Sequence, residues 1–112
     1  MEQRRTRRFQ LELPLSITRS GSDRVAFSGW TKNISSTGVL FTSASAPDLG
    51  GAIEYVITLH EVGPQPVTLR CMGKVLRSER MFGNGDGRRA FEVAATLERY
   101  EFVRQPELML VR

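Results

Sequence analysis

Apolar and polar residues alternate with a period of two along most of this chain. In "FQLELPLSITR", Phe9, Leu11, Leu13, Leu15 and Ile17 fall on one face, and Gln10, Glu12, Pro14, Ser16 and Thr18 on the other. Such alternation marks a strand with one buried face. Pro14 has no backbone donor, so this strand is expected at a sheet edge or with a bulge. A turn at "SGSD" leads to "RVAFSGWTK", with Val25 and Phe27 facing one way and Trp30 the other. After the "NISSTG" loop, "VLFTS" is a third strand, and "SASAPDLGG" is a polar connector. "IEYVITLH" is a fourth, with Ile53, Tyr55, Ile57 and Leu59 on its apolar face. "VTLRCMGKVLRSE" is a long fifth strand, and "MFGNGDGRR" reads as a hairpin tip. "AFEVAATL" is the sixth, with Phe91, Val93, Ala95 and Leu97 inward. In the following "ERYEFVRQ", the spacing of Leu97, Tyr100 and Val103 also fits a short helix.

The pattern predicts an all-β fold, a six-stranded antiparallel β-barrel, with a short C-terminal helix left open. Closure into a barrel hides the edges that such strands would otherwise expose. Leu11, Leu13, Phe27, Ile57, Leu69, Val75 and Val93 are its expected core. The barrel is expected over residues 9–104, between a flexible basic arm at 1–8 and a tail at 105–112. A chain of 112 residues fits one such domain.

Composition narrows the function classes. With 40% apolar and 25% charged residues, the chain reads as globular rather than disordered. No apolar run approaches the ~20 residues of a membrane helix, and the basic start lacks the apolar stretch of a secretory signal. A cytoplasmic protein without a membrane partner is expected. Cys71, the single cysteine, allows no internal disulfide and sits in an apolar strand, where it reads as a small buried hydrophobe. His60, the single histidine, ends a strand without a second ligand nearby in sequence, so no metal site is expected. No nucleophile elbow is present. The glycines at 83–87 lack the lysine and helix of a phosphate loop. These readings disfavour an enzyme and call for no cofactor.

Charge adds the chemistry. The net charge is +4, and residues 1–8 hold four arginines against one glutamate, a local excess of +3. Arg4 and Arg8 are four apart. In an extended arm they share a side at about 13 Å separation, and on a helix they also share a face. Either way they can converge on one anion. The guanidinium fork suits phosphate, and also the O6 and N7 acceptors of guanine. In "NISSTG", Asn33 and Ser35 supply donors and acceptors. Gly38 permits a positive φ or a close backbone approach. Both polar side chains are expected to face a ligand from a loop and to contribute little to stability.

The two motifs in order, Arg-x-x-x-Arg before strand one and Asn-x-Ser-x-x-Gly after strand two, resemble the PilZ domain. That family consists of six-stranded barrels that bind the bacterial second messenger cyclic di-GMP. The resemblance continues through "GKVLRS" and "FEVAATLERYEFVR" and spans about residue 3 to about residue 104. The family often has an acid where Asn33 stands, which here leaves guanine a neutral partner. The resemblance implies a cyclic di-GMP site made by Arg4, Arg8, Asn33, Ser35 and Gly38, and Arg5 and Arg7 add two candidate phosphate ligands, Arg5 ahead of Arg7, which sits next to the paired Arg8. It implies a sensor that closes its arginine arm over the nucleotide and signals to an effector protein in trans, or as a homo-oligomer. Two alternatives stay open. One is a PilZ-like interaction module that does not bind the nucleotide. The other is a small basic barrel for nucleic acid, which is disfavoured because Trp30 is the only obvious exposed stacking residue.

Overall fold

The structure, a computed structural model, describes residues 7–60, 66–81 and 90–104. Seven strands follow one another: β1 (Pro14–Ser20), β2 (Asp23–Ile34), β3 (Gly38–Ser43), β4 (Ala52–His60), β5 (Val67–Met81), β6 (Ala90–Thr96) and β7 (Arg99–Arg104). All pairings are antiparallel, in the order β4-β1-β2-β3-β6-β5, and β5 returns to β4 to close the barrel. Among the described residues no helix is long and apolar enough to cross a membrane.

The inward halves of the alternating segments make one core. Leu15, Ile17, Val39, Phe41, Ile53, Tyr55, Ile57, Cys71, Val75, Val93 and Ala95 are buried, and Leu13, Val25, Phe27 and Leu69 pack against them. Phe41 and Tyr55 meet with ring centroids 5.5 Å apart. The Tyr55 hydroxyl, sealed inside, donates to the Thr96 carbonyl at 3.1 Å, as a buried phenol must. Cys71 is fully buried, and loss of hydration pushes its thiol up to about 12. It is inert packing rather than a nucleophile.

Leu11 departs from the expected core: it is 45% exposed. Pairing of β1 with β4 starts only at Leu15↔Ile57, so Leu11 lies beyond the paired part of β1, at the barrel rim. This run is held to β2 instead. Thr31, buried, donates its hydroxyl to the Leu11 carbonyl and accepts the Leu13 N–H at 2.8 Å. Of the two expectations for the Pro14 strand, an edge or a bulge, the structure shows the bulge. β1 is internal, between β2 and β4. Proline is tolerated because it is the first residue of the strand, ahead of the ladder to β4. The bulge in β1 falls later, between Ile17 and Arg19.

The C-terminal segment is strand, not helix. β7 continues the line of β6 after a break at Leu97 and Glu98, pairing Arg99↔Met72 through Arg104↔Val67. The long β5 therefore borders β4 on one side and β6 followed by β7 on the other.

Candidate functional site

Three of the residues singled out from sequence, Arg8, Asn33 and Gly38, line one pocket of about 320 Å³ on the outer wall of the barrel. Their meeting is a matter of register. A bulge in β2 leaves Lys32 as an extra residue, so Thr31 pairs with Phe41 and Asn33 with Leu40. Without it, Asn33 would share the inward face of Thr31. A one-residue slip turns a side chain to the opposite face, and here it turns Asn33 outward.

The same device recurs across the pocket. In β5, Val75 pairs with Ala95 and Arg77 with Ala94, which leaves Leu76 as the extra residue. Val75 is buried, and Arg77 is turned out. Since Leu40 pairs with Ala94, the residues Asn33, Leu40, Ala94 and Arg77 form one row over four strands. Three steps of about 4.8 Å put its ends about 14 Å apart. The floor between them is apolar and short-chained, the ends are polar or cationic, and Leu76, 63% exposed, stands at the rim.

Arg8 is delivered by the next residue. Phe9 and Ile34 exchange backbone hydrogen bonds at 2.8 and 2.9 Å, which fastens the base of the arm to the end of β2. The Arg8 guanidinium then donates to the Asn33 side-chain oxygen at 2.5 Å. The nearby Glu92 carboxylate is held by Lys32 at 2.7 Å. Among the described residues no carboxylate pairs with Arg8 or Arg77, so the pocket keeps its positive potential. Arg4 and Arg5 lie outside the described residues, as do the tail at 105–112, the glycines at 83–87 and the side chain of His60.

Ser35 and Gly38 have different local tasks from those expected. Ser35 is only 4% exposed. Its hydroxyl oxygen accepts the N–H groups of Gly38 at 3.1 Å and Thr37 at 3.3 Å, and its backbone N–H donates to the Gly38 carbonyl at 2.8 Å. The side chain thus ties the β2–β3 turn, so its value to the site lies in fixing the turn beside Asn33. Gly38 does not use a positive φ. A Cβ there would stand 3.1 Å from the Ala95 carbonyl oxygen, so glycine lets β3 lie tight against β6 under the pocket.

A stability prediction follows from this contrast. Ser35→Ala removes the acceptor of the Thr37 and Gly38 N–H groups and should cost about 1 kcal/mol or more. Asn33→Ala, at a half-buried surface position, should stay within about 0.5 kcal/mol of the parent. Denaturant unfolding of both variants checks it; equal stabilities would show that the Ser35 contacts contribute nothing.

Arg77 was not legible as a site residue. Its inward or outward direction depends on the bulge at Leu76, which leaves no trace in residue type. Arg8 and Asn33 were legible because their spacing belongs to motifs.

Neither a curated protein nor a solved structure matches the chain significantly. The family model described as the PilZ domain does match, over residues 2–97. That range takes in both motifs, the turn tied by Ser35 and the four strands that carry the pocket row. On this match, and on a closed six-stranded barrel with Arg8 docked on Asn33 at its wall, the chain belongs to the PilZ domain family.

Proposed function

We propose that this chain is a receptor for cyclic di-GMP that acts as a sensor rather than an enzyme. The observation that carries the reading is the pocket row: Arg8 joined to Asn33 at one end, Arg77 at the other, and a flat apolar floor of Leu40 and Ala94 between them. A planar guanine suits such a floor. The flanking guanidinium groups suit guanine edges and the two phosphates. Arg4 and Arg5, on the arm before Arg8, close on the ligand from the opposite side. The ligand charge then offsets the repulsion among the clustered arginines.

The energies are sufficient. Charge-assisted hydrogen bonds contribute about 1.5–3 kcal/mol each, and a micromolar complex needs about 8 kcal/mol. Three or four such bonds reach that range before the entropy of ordering the arm is subtracted. Tight binding therefore requires most of the clamp. The signal is the surface made by the closed arm and nucleotide, which is offered to an effector protein in trans. The proposed compartment is the cytoplasm, in keeping with a single unpaired thiol.

Calorimetric titration with cyclic di-GMP, with GTP and a short oligonucleotide as controls, tests the reading. The parent should bind cyclic di-GMP selectively. Arg8→Ala and Arg77→Ala should each weaken binding about tenfold or more. Arg8→Lys should also weaken it, because lysine keeps the charge but lacks the fork and the stacking face. If Arg8→Lys binds as well as the parent, the arm is a generic electrostatic tether. If the folded parent does not bind the nucleotide, the domain is an interaction module instead. Oligonucleotide binding with a steep salt dependence would point to nucleic acid.

A further inference from the structure

β7 extends the wall beyond the closed barrel. β3 reaches β6 only as far as Gly38↔Thr96, so nothing continues beside β7 on its outer edge among the described residues. This edge, "RYEFVR", contains neither proline nor lysine, and its charges are of both signs, so they admit a complementary strand. Its side chains are sorted by face. Tyr100 and Phe102 pair with Cys71 and Leu69, and stand 58% and 67% exposed with their rings in edge contact at 6.3 Å. Arg99 and Glu101 point to the opposite face, where Glu101 contacts Arg70 of β5 at 3.4 Å. Beside them lies a hollow of about 450 Å³ lined by Met72, Glu98, Arg99, Tyr100 and Glu101.

We propose that β7 pairs antiparallel with β7 of a second copy of this chain, about a two-fold axis at Tyr100. This register sets Arg99 opposite the second copy's Glu101, twice over by symmetry. Each Glu101 then lies between Arg70 of its own chain and Arg99 of the other, so charges alternate along the row. On the other face the two Tyr100 rings meet, with each Phe102 on a diagonal within aromatic reach. Other registers lack this match. An axis at Glu101 sets that carboxylate against its own copy. One between Glu101 and Phe102 opposes residues of opposite faces, Arg99 and Arg104 among them, and makes no regular pairing. One at Phe102 leaves Glu101 opposite Val103 and makes neither charge pair. Directly opposed like charges are destabilising, so charge selects the register. The pairing uses the end of β5 away from Arg77 and leaves both ligand pockets open.

Sedimentation equilibrium of the full chain, over a series of concentrations without nucleotide, tests the proposal. The parent should form a dimer at the upper end of the series. Arg99→Glu and Glu101→Arg should each raise the dimer dissociation constant about tenfold or more, since each change turns two attractive pairs repulsive. Circular dichroism and thermal melts establish that each variant is folded. An equimolar mixture of the two variants should recover a dimer. The carboxylate introduced in one variant then faces the guanidinium introduced in the other, and the unchanged Glu101 of the first faces the unchanged Arg99 of the second. A parent that is monomeric throughout overturns the proposal, as do single variants that dimerise like the parent or a mixture that stays monomeric. A dimer that forms only after deletion of residues 105–112 also overturns it, since the chain's own end would then be the occupant of the edge.

Discussion

Gly73→Ala is expected to abolish the native fold or to cost about 3 kcal/mol or more, the upper end for overpacking. A Cβ at Gly73 would stand 1.9 Å from the carbonyl oxygen of Thr96 and 2.7 Å from its carbonyl carbon. Both are backbone atoms, and neither strand can retreat. Gly73 is paired to Ile53 of β4. On the other side, the Lys74 N–H donates to the Thr96 hydroxyl at 2.8 Å and the Glu98 N–H to the Met72 carbonyl at 2.9 Å. Glycine is needed where the β6–β7 line breaks and presses on β5. Gly29→Ala should behave alike, since its Cβ would fall 1.7 Å from the Thr42 carbonyl oxygen. Gly50→Ala is the matched control: nothing lies within 4 Å of its Cβ and only its φ of 77° resists substitution, at about 1 kcal/mol. Denaturant unfolding reads all three. With a typical domain stability of about 5–15 kcal/mol, a Gly73→Ala protein that unfolds with the Gly50→Ala control would refute the tight junction.

Stability is expected to fall steeply in alkaline solution, starting near pH 9. Burial pushes the Cys71 thiol up from 9.0 to about 12. Burial, with smaller contributions from Cys71 and Glu98, also pushes the Tyr55 phenol well above its ordinary 10.0. In both cases the folded protein holds the proton more tightly than the unfolded chain. Below pH 9 both states keep both protons, and the full stability is present. As pH rises past the unfolded values, only the unfolded chain ionises and gains, at about 1.4 kcal/mol per pH unit per group. The thiol acts from pH 9 and the phenol from pH 10, so their sum reaches about 4 kcal/mol at pH 11. Urea unfolding between pH 8 and pH 11 measures it. Cys71→Ala should lower stability at neutral pH but flatten the slope between pH 9 and pH 10. An unchanged slope in that variant would assign the alkaline loss to other groups.

The strands were legible because the sequence alternates wherever one face is buried. Ile53, Tyr55 and Ile57 all sit in the core as their spacing requires. The pattern misled where alternation outran the barrel. Leu11 keeps the rhythm of Leu13 and Leu15, but among the described residues no β4 partner pairs with it. The end of the chain was ambiguous for a related reason. Leu97, Tyr100 and Val103 satisfy a helical period, and what decides for strand is the length of β5, whose first half is available for pairing. At the site, Arg8 and Asn33 could be found from spacing. Arg77 could not, and the task of Ser35 inside the turn is fixed by burial, which a polar residue in a loop does not announce.

Each of the two bulges that shape the pocket adds a single unpaired residue to its strand. Loss of that extra residue would leave the pocket row intact. A one-codon deletion of Lys32 sets Asn33 directly after Thr31, and one of Leu76 sets Arg77 directly after Val75. Ordinary alternation then keeps each outward, opposite the same partner as before. Between related chains, an alignment gap at Lys32 or Leu76 is therefore compatible with the same pocket face.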